Sequence, residues 1–428
     1  MTSEHPKKAM NVFEKLVTTS DALVAATKGE SIRRIVVGGQ IMSCPSFRLS
    51  PGQSLRGADQ NAAIIFASDA EGAQLSTSNR IELLRLEVAP NKRAIFNDTG
   101  VEDFGQIELR SVTTIGRVQI LVRDKVRRGH VNIEGLDIVA ADAREENERP
   151  HGYGVYVLQG AFTLWNMQPD SGAVVSSNLI GLSAGRDGAP VRGSGIFVSG
   201  AGDNGGRLEV RRLETNAVYS DGGIASGTPD QITGGVFVVH GAHVDTVRNR
   251  APVTTYGVND MVLDNWGVVE RWIADDKITS HGPSGIGFVN FGILRRLRVN
   301  APIETFGEGA RGFNVYAGTV DAAEFDSVVT HADGAIGIQI SQPIGKLVVH
   351  RGIETFGGAG QSLVKGVLTS LSAIGLSIKP GGSAREIEIS GGIKTNGAGV
   401  APIENHGAIE TLHVDGGFLA AGSGFDKI

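Results

Sequence analysis

Two glutamates, Glu304 and Glu354, sit in the same local setting, Ile-Glu-Thr-Phe-Gly, at two places in the chain. A pair of carboxylates at fixed separation equips a protein for glycosidic chemistry, one acting as acid and the other as base or nucleophile. Each glutamate is followed two residues on by a ring, Phe306 or Phe356. Related segments put Tyr256, Ser280 or His281, His331 and Asn396 at the matching position. Rings beside carboxylates suit sugars, whose C–H faces stack on aromatics while their hydroxyls bond to acids. The expected chemistry is therefore substrate binding by Tyr256, Phe306, His331 and Phe356, with Glu304 and Glu354 as the catalytic pair. The alternative is a stack of rings that only stabilises a sheet.

Such a column needs elements that repeat. Thr255, Thr279, Thr305, Thr330 and Thr355 recur at intervals of 24, 26, 25 and 25 residues, and Thr215 and Thr395 lie 40 residues outside this run on either side. Each period also holds a Gly-led alternating run, such as Gly312–Val315, and a second apolar run, such as Leu347/Val349. Alternation at period two marks half-buried strands. Three short strands per period of about 25 residues describe one coil of a parallel β-helix, with Gly, Asn and Asp in the turns. Stacking at about 4.8 Å per coil places like residues in columns. Inward threonines would form a ladder hydrogen-bonded along the column. Glu304, Phe306, Glu354 and Phe356 then face outward. The two glutamates stand about 9.6 Å apart across two coils, near the upper end of the inverting-hydrolase separation. The two 40-residue intervals carry insertions that could wall a cleft.

Composition agrees with this architecture. Sixty glycines in 428 residues, 41% hydrophobic residues and 20% charged residues describe a turn-rich globular chain rather than a disordered one. The net charge of −6 and the lack of a long basic run argue against nucleic acid as a partner. The one cysteine, Cys44, excludes an intrachain disulfide and a cysteine metal cluster. His240, His243 and Asp245 flank a turn and need not converge, so neither a metal nor another cofactor is expected. The apolar residues between Asn11 and Lys28 are interrupted by charge, which gives neither a leader core nor a membrane span. The chain as given reads as cytoplasmic, with a secreted or virion-associated protein as the other possibility.

The Leu49-Ser-Pro-Gly-Gln-Ser-Leu-Arg-Gly57 entry, the N-terminal helical pattern and the Gly-rich coils resemble the pectin-lyase-like superfamily of right-handed parallel β-helices. The resemblance covers about residues 30 to 420. It implies an all-β fold and functions ranging from polysaccharide lyases and glycoside hydrolases to phage tailspikes and non-catalytic surface proteins. Asp275-Asp276, Ser280-His281-Gly282 and Arg296-Leu297-Arg298 are similar, in order, to the catalytic pattern of polygalacturonase-type hydrolases, which implies catalytic roles for Asp275, Asp276 and His281. The spacing departs from that pattern. Only five residues separate Asp276 from His281, and arginine replaces the final lysine.

Residues 1–29 are expected to form a capping helix, on the spacing of Val12, Phe13, Leu16, Val17, Leu23, Val24 and Thr27, and residues 30–428 the β-helix. The C-terminal coil offers no comparable cap, which points to a homo-oligomer partner there. The expected function is a β-helix that acts on or binds a carbohydrate polymer. The alternative is a non-catalytic structural or recognition β-helix.

Overall fold

Three-residue strands such as Val253–Thr255 cannot hold their shape alone. They persist because each pairs in parallel with a like strand one coil further on. Val253 pairs with Ile278, Ile278 with Ile303, Ile303 with Val328 and Val328 with Ile353, always 25 residues apart. In the computed structural model, which describes residues 13–29, 31–364 and 367–422, this pairing winds the chain into a parallel β-helix.

Three ladders make up the coils. A short sheet holds Val253–Thr255 and its repeats. A long sheet holds seven-residue strands such as Val268–Ala274, Ile293–Val299 and Thr319–Phe325. A lateral sheet holds strands such as Asp260–Asn265, Ile286–Asn290 and Arg311–Val315. Nearer the N-terminus the long and short sheets merge in continuous strands such as Arg207–Asp221, which pairs with both Ala242–Asn249 and Val253–Thr255. The main core fills the tube, with Trp272, Phe288, Phe313 and Phe325 packed ring against ring.

The interior hydroxyl column is real, but its register differs by one residue from the sequence expectation. Ser280, not Thr279, continues Thr255, Thr305, Thr330, Thr355 and Thr395, and all six are fully buried. Thr279 faces outward between Thr254 and Glu304. Thr215 belongs to the long sheet, and Ser220 is the residue that precedes Thr255 in the column. Nor do the hydroxyls bond along the column. Thr330 and Thr395 donate to the carbonyls of Ala335 and Val400 in their own coil at 2.7 and 2.8 Å. In these coils the turn leaving the short strand uses the hydroxyl to satisfy its own backbone, whereas the buried hydroxyls of Thr255, Ser280 and Thr305 have no hydrogen-bond partner among the described residues.

The N-terminal cap is a strand and a helix together. β1 (Phe13–Val17) pairs with β2 (Ile32–Val37) and covers its open edge. The helix α1 runs only from Ser20 to Lys28, because Thr19 caps it by accepting a hydrogen bond from the Ala22 N–H at 3.3 Å. It buries Leu23, Ala26 and Thr27. Gln53 Nε2 ties its C-terminal end down by donating to the Ala26, Gly29 and Ile32 carbonyls. Residues 1–12 of the expected cap lie outside the described residues. No helix among the described residues is long and apolar enough to cross a membrane.

The lateral sheet differs from the other two in that its middle strands are buried on both faces. Every residue of Gly160–Asn166, Asp260–Asn265, Ile286–Asn290, Arg311–Val315 and Ile336–Ile340 is buried. A second apolar cluster, including Phe197, Phe237, Trp266 and Val289, lies on its outer side. Two excursions of the chain cover it. Residues 142–159 contain a small hairpin, His151–Gly152 against Val155–Val157, whose second strand adds to Gln231–Val238. The second is the hairpin Ala359–Val364 and Val367–Ser372, which accounts for the later 40-residue interval.

Candidate functional site

The outward column read from the sequence exists, with His281 in the place left open between Ser280 and His281. Tyr256, His281, Phe306, His331 and Phe356 stack in one row, with ring centroids 5.2, 5.1, 4.4 and 5.3 Å apart and planes within 13° of parallel. That parallelism decides what the column can do. The ring faces are turned toward one another along the coil axis, so solvent meets mainly ring edges. Sugar C–H groups stack on faces, and four face-to-face contacts consume them.

The carboxylates of this face are already engaged. Glu304 and Glu354 occupy one outward column two strands apart, with Val329 between them. Glu304 Oε1 lies 2.8 Å from His331 Nε2. Glu354 accepts from Lys394 Nζ at 2.8 Å and from Asn396 Nδ2 at 3.0 Å. The Lys394 ammonium outweighs partial burial and holds the Glu354 carboxyl below its ordinary value. A general acid needs the opposite shift.

Asp275 and Asp276 occupy the turn between Val268–Ala274 and Ile278–Ser280. Asp275 binds Arg248 Nε at 2.6 Å and Asn300 Nδ2 at 3.1 Å, and Asp276 accepts from the Lys277 N–H at 2.7 Å. These are turn contacts. They do not bring the two aspartates to His281, which is enclosed between Tyr256 and Phe306.

A groove walled by rings lies elsewhere, at the edge of the lateral sheet. The hairpin of residues 151–157 turns on Tyr153 and Gly154, both with left-handed backbone, φ 53° and 86°. That conformation is ordinary for Gly154 and costs a tyrosine on the order of 1 kcal/mol. The hairpin lies flat on the rings beneath it. A Cβ at Gly152 would come within 2.6 Å of His240 Nε2 and 2.7 Å of Trp266. Tyr153 packs against His240, Trp266 and Phe291 with centroids 5.4, 5.1 and 4.6 Å away. Its hydroxyl donates to the Phe291 carbonyl at 3.0 Å, which fixes the ring.

Beside Tyr153 opens a groove of about 390 Å³ lined by Asp203, Arg207, His240, His243, Trp266 and Phe291, with a strip of glycines. Gly267, Gly292 and Gly318 are bare of necessity. A Cβ there would come within 2.4, 2.1 and 1.9 Å of carbonyl oxygens of Ala242, Gly267 and Gly292. The strip therefore presents main chain to whatever enters. Burial lowers the pKa of His240 against the opposing pull of Asp203, and burial together with Asp203 and Asp264 raises that of Tyr153. His240 and His243 share this groove but not Asp245, and among the described residues no group of three or more His, Cys, Asp or Glu is placed to hold a metal.

The sequence reading missed Tyr153, Asp203 and Trp266. One signal was available, since Trp266, Phe291 and Tyr316 repeat at the same 25-residue spacing as the threonine segments. The chain matches no family model, no curated protein and no solved structure.

Proposed function

We propose that this protein is a carbohydrate-recognising β-helix of the pectin-lyase-like kind, holding its ligand in the groove beside Tyr153. The observation that carries the reading is Tyr153 itself. A left-handed tyrosine at a hairpin tip, 45% exposed and fixed through its hydroxyl, is a costly way to present a ring. Around it stand groups that suit sugar hydroxyls, namely Asp203, Arg207, His240, His243 and a strip of main chain. Recognition is favoured over cleavage because Asp203 is the one carboxylate among the described residues that lines this groove, whereas glycoside hydrolysis uses two.

A glycan array followed by titration of the best ligand tests the reading. Tyr153→Ala and Asp203→Asn should each weaken binding about tenfold or more, by analogy with the loss of a ring contact or a charged hydrogen bond. A reducing-end assay on the same ligand should stay flat. Release of reducing ends, abolished by Glu304→Gln or Glu354→Gln, would instead return the activity to the short-sheet face.

A further inference from the structure

Arg311 lies on the outer side of the lateral sheet, where its cross-strand neighbours are Ile286 and Ile336. It is 3% exposed. No carboxylate among the described residues lies within ion-pair distance of it. Among the described residues its hydrogen bonds go to neutral acceptors only: Gln339 Oε1 and the Gly309 carbonyl at 3.2 Å, and Ser362 Oγ at 3.3 Å. A guanidinium sealed from water without an anion is costly, and burial pulls its pKa down to about 10.

A second observation comes from the neighbouring strand positions. Asn314, three residues on from Arg311, is fully buried, and among the described residues neither its amide nitrogen nor its amide oxygen has a hydrogen-bond partner. Gln339, which receives the Arg311 guanidinium, is the cross-strand partner of Asn314. Gln339 thus links the two: its side chain accepts from Arg311, and its strand position lies beside Asn314. Ser362, from the 359–372 hairpin, roofs the same spot by donating to the Gly309 carbonyl at 2.9 Å. A native core rarely leaves an amide wholly unsatisfied beside an uncompensated cation.

We propose that Arg311 and Asn314 form an internal site for a compact oxyanion, a carboxylate or a phosphate group, enclosed between the lateral sheet and the strand Ala359–Val364 that carries Ser362. The anion supplies the charge that Arg311 lacks and accepts from the Asn314 amide. This site is separate from the groove at Tyr153 and does not depend on the carbohydrate reading.

Thermal unfolding of the full chain in inorganic phosphate and in acetate, against chloride at equal ionic strength, tests it. At least one oxyanion should raise the midpoint of unfolding in a saturable way, and which one does so identifies the group. Arg311→Met should abolish the response, and Asn314→Leu should raise the half-saturating concentration about tenfold. Should Arg311→Met fail to fold, hydrogen exchange at residues 359–362 of the parent protein gives the same reading, slowing as the anion saturates. A flat response to both anions in both measurements, or an equal response in Arg311→Met, overturns the proposal.

Discussion

Asp260 shows how much one buried carboxyl can govern here. It is fully enclosed, and it accepts from the Gly222 N–H at 3.1 Å, from the Gly257 N–H at 2.8 Å and from the Thr233 hydroxyl. Burial nevertheless outweighs these donors and raises its pKa to about 6. A folded-state value above the unfolded one means that the folded protein binds the extra proton. Stability therefore rises as pH falls from about 6 to about 4, by up to about 3 kcal/mol from this residue. Asp260→Asn keeps the shape and should flatten that segment of a denaturation-versus-pH profile. An unchanged slope would assign the pH dependence to other groups. Glu354 works in the opposite sense. Its depressed value adds stability that is lost as pH falls below the ordinary glutamate range. Neither shift could be read from the sequence, because Asp260 follows Asn259 in what looks like ordinary turn chemistry. Only the coil stacked beside it reveals the burial. Tyr153 was hidden for a similar reason, since the hairpin that presents it has strands of two and three residues, too short for any periodicity.

At the scale of the element, the ring row of the short sheet is best understood as a brace. Phe306 touches His281 and His331 face to face, and each such contact contributes roughly 0.5–1.5 kcal/mol beyond burial. Phe306→Ala should therefore lower stability by about 1–3 kcal/mol in denaturant unfolding while leaving glycan affinity unchanged. A parallel loss of affinity in Phe306→Ala and Phe356→Ala would make the row a binding surface after all. The row, its 25-residue period and the outward direction of both glutamates were legible in the sequence. The one-residue slip at Thr279 had a local cause. A strand of three residues turns its first and third residues inward, as Ile278 and Ser280 do, and with Thr279 and Ser280 side by side either hydroxyl residue reads as the inward one. The aromatic positions Tyr256, His281, Phe306, His331 and Phe356, spaced without deviation, were the better ruler for register.

For the whole molecule, the two ends and the coil spacing matter most. β1 and α1 close the first coil, and Val17, Leu23 and Ala26 are buried against it. Deleting residues 1–29 should bare the edge of Ile32–Val37 and the apolar coil end, giving soluble aggregates by light scattering. A truncated chain that stays monomeric with an unaltered melting profile would show that the cap is dispensable. The parallel β-helix was legible because one repeated segment fixes the period. The two-faced burial of the lateral sheet was not, because its cover comes from excursions with no counterpart in neighbouring coils. The glycines of the coil turns carry a last consequence. A Cβ at Gly282, Gly307, Gly357 or Gly397 would lie 1.7–1.9 Å from a carbonyl oxygen of the preceding coil. Backbone rests directly on backbone there, so the pitch has no slack. The protein can lengthen or shorten only in whole graduations, one coil at a time. Additions smaller than a coil must leave the stack and rejoin it at the same mark, as the 359–372 hairpin does, which lets new surfaces arise on a scaffold of unchanged length.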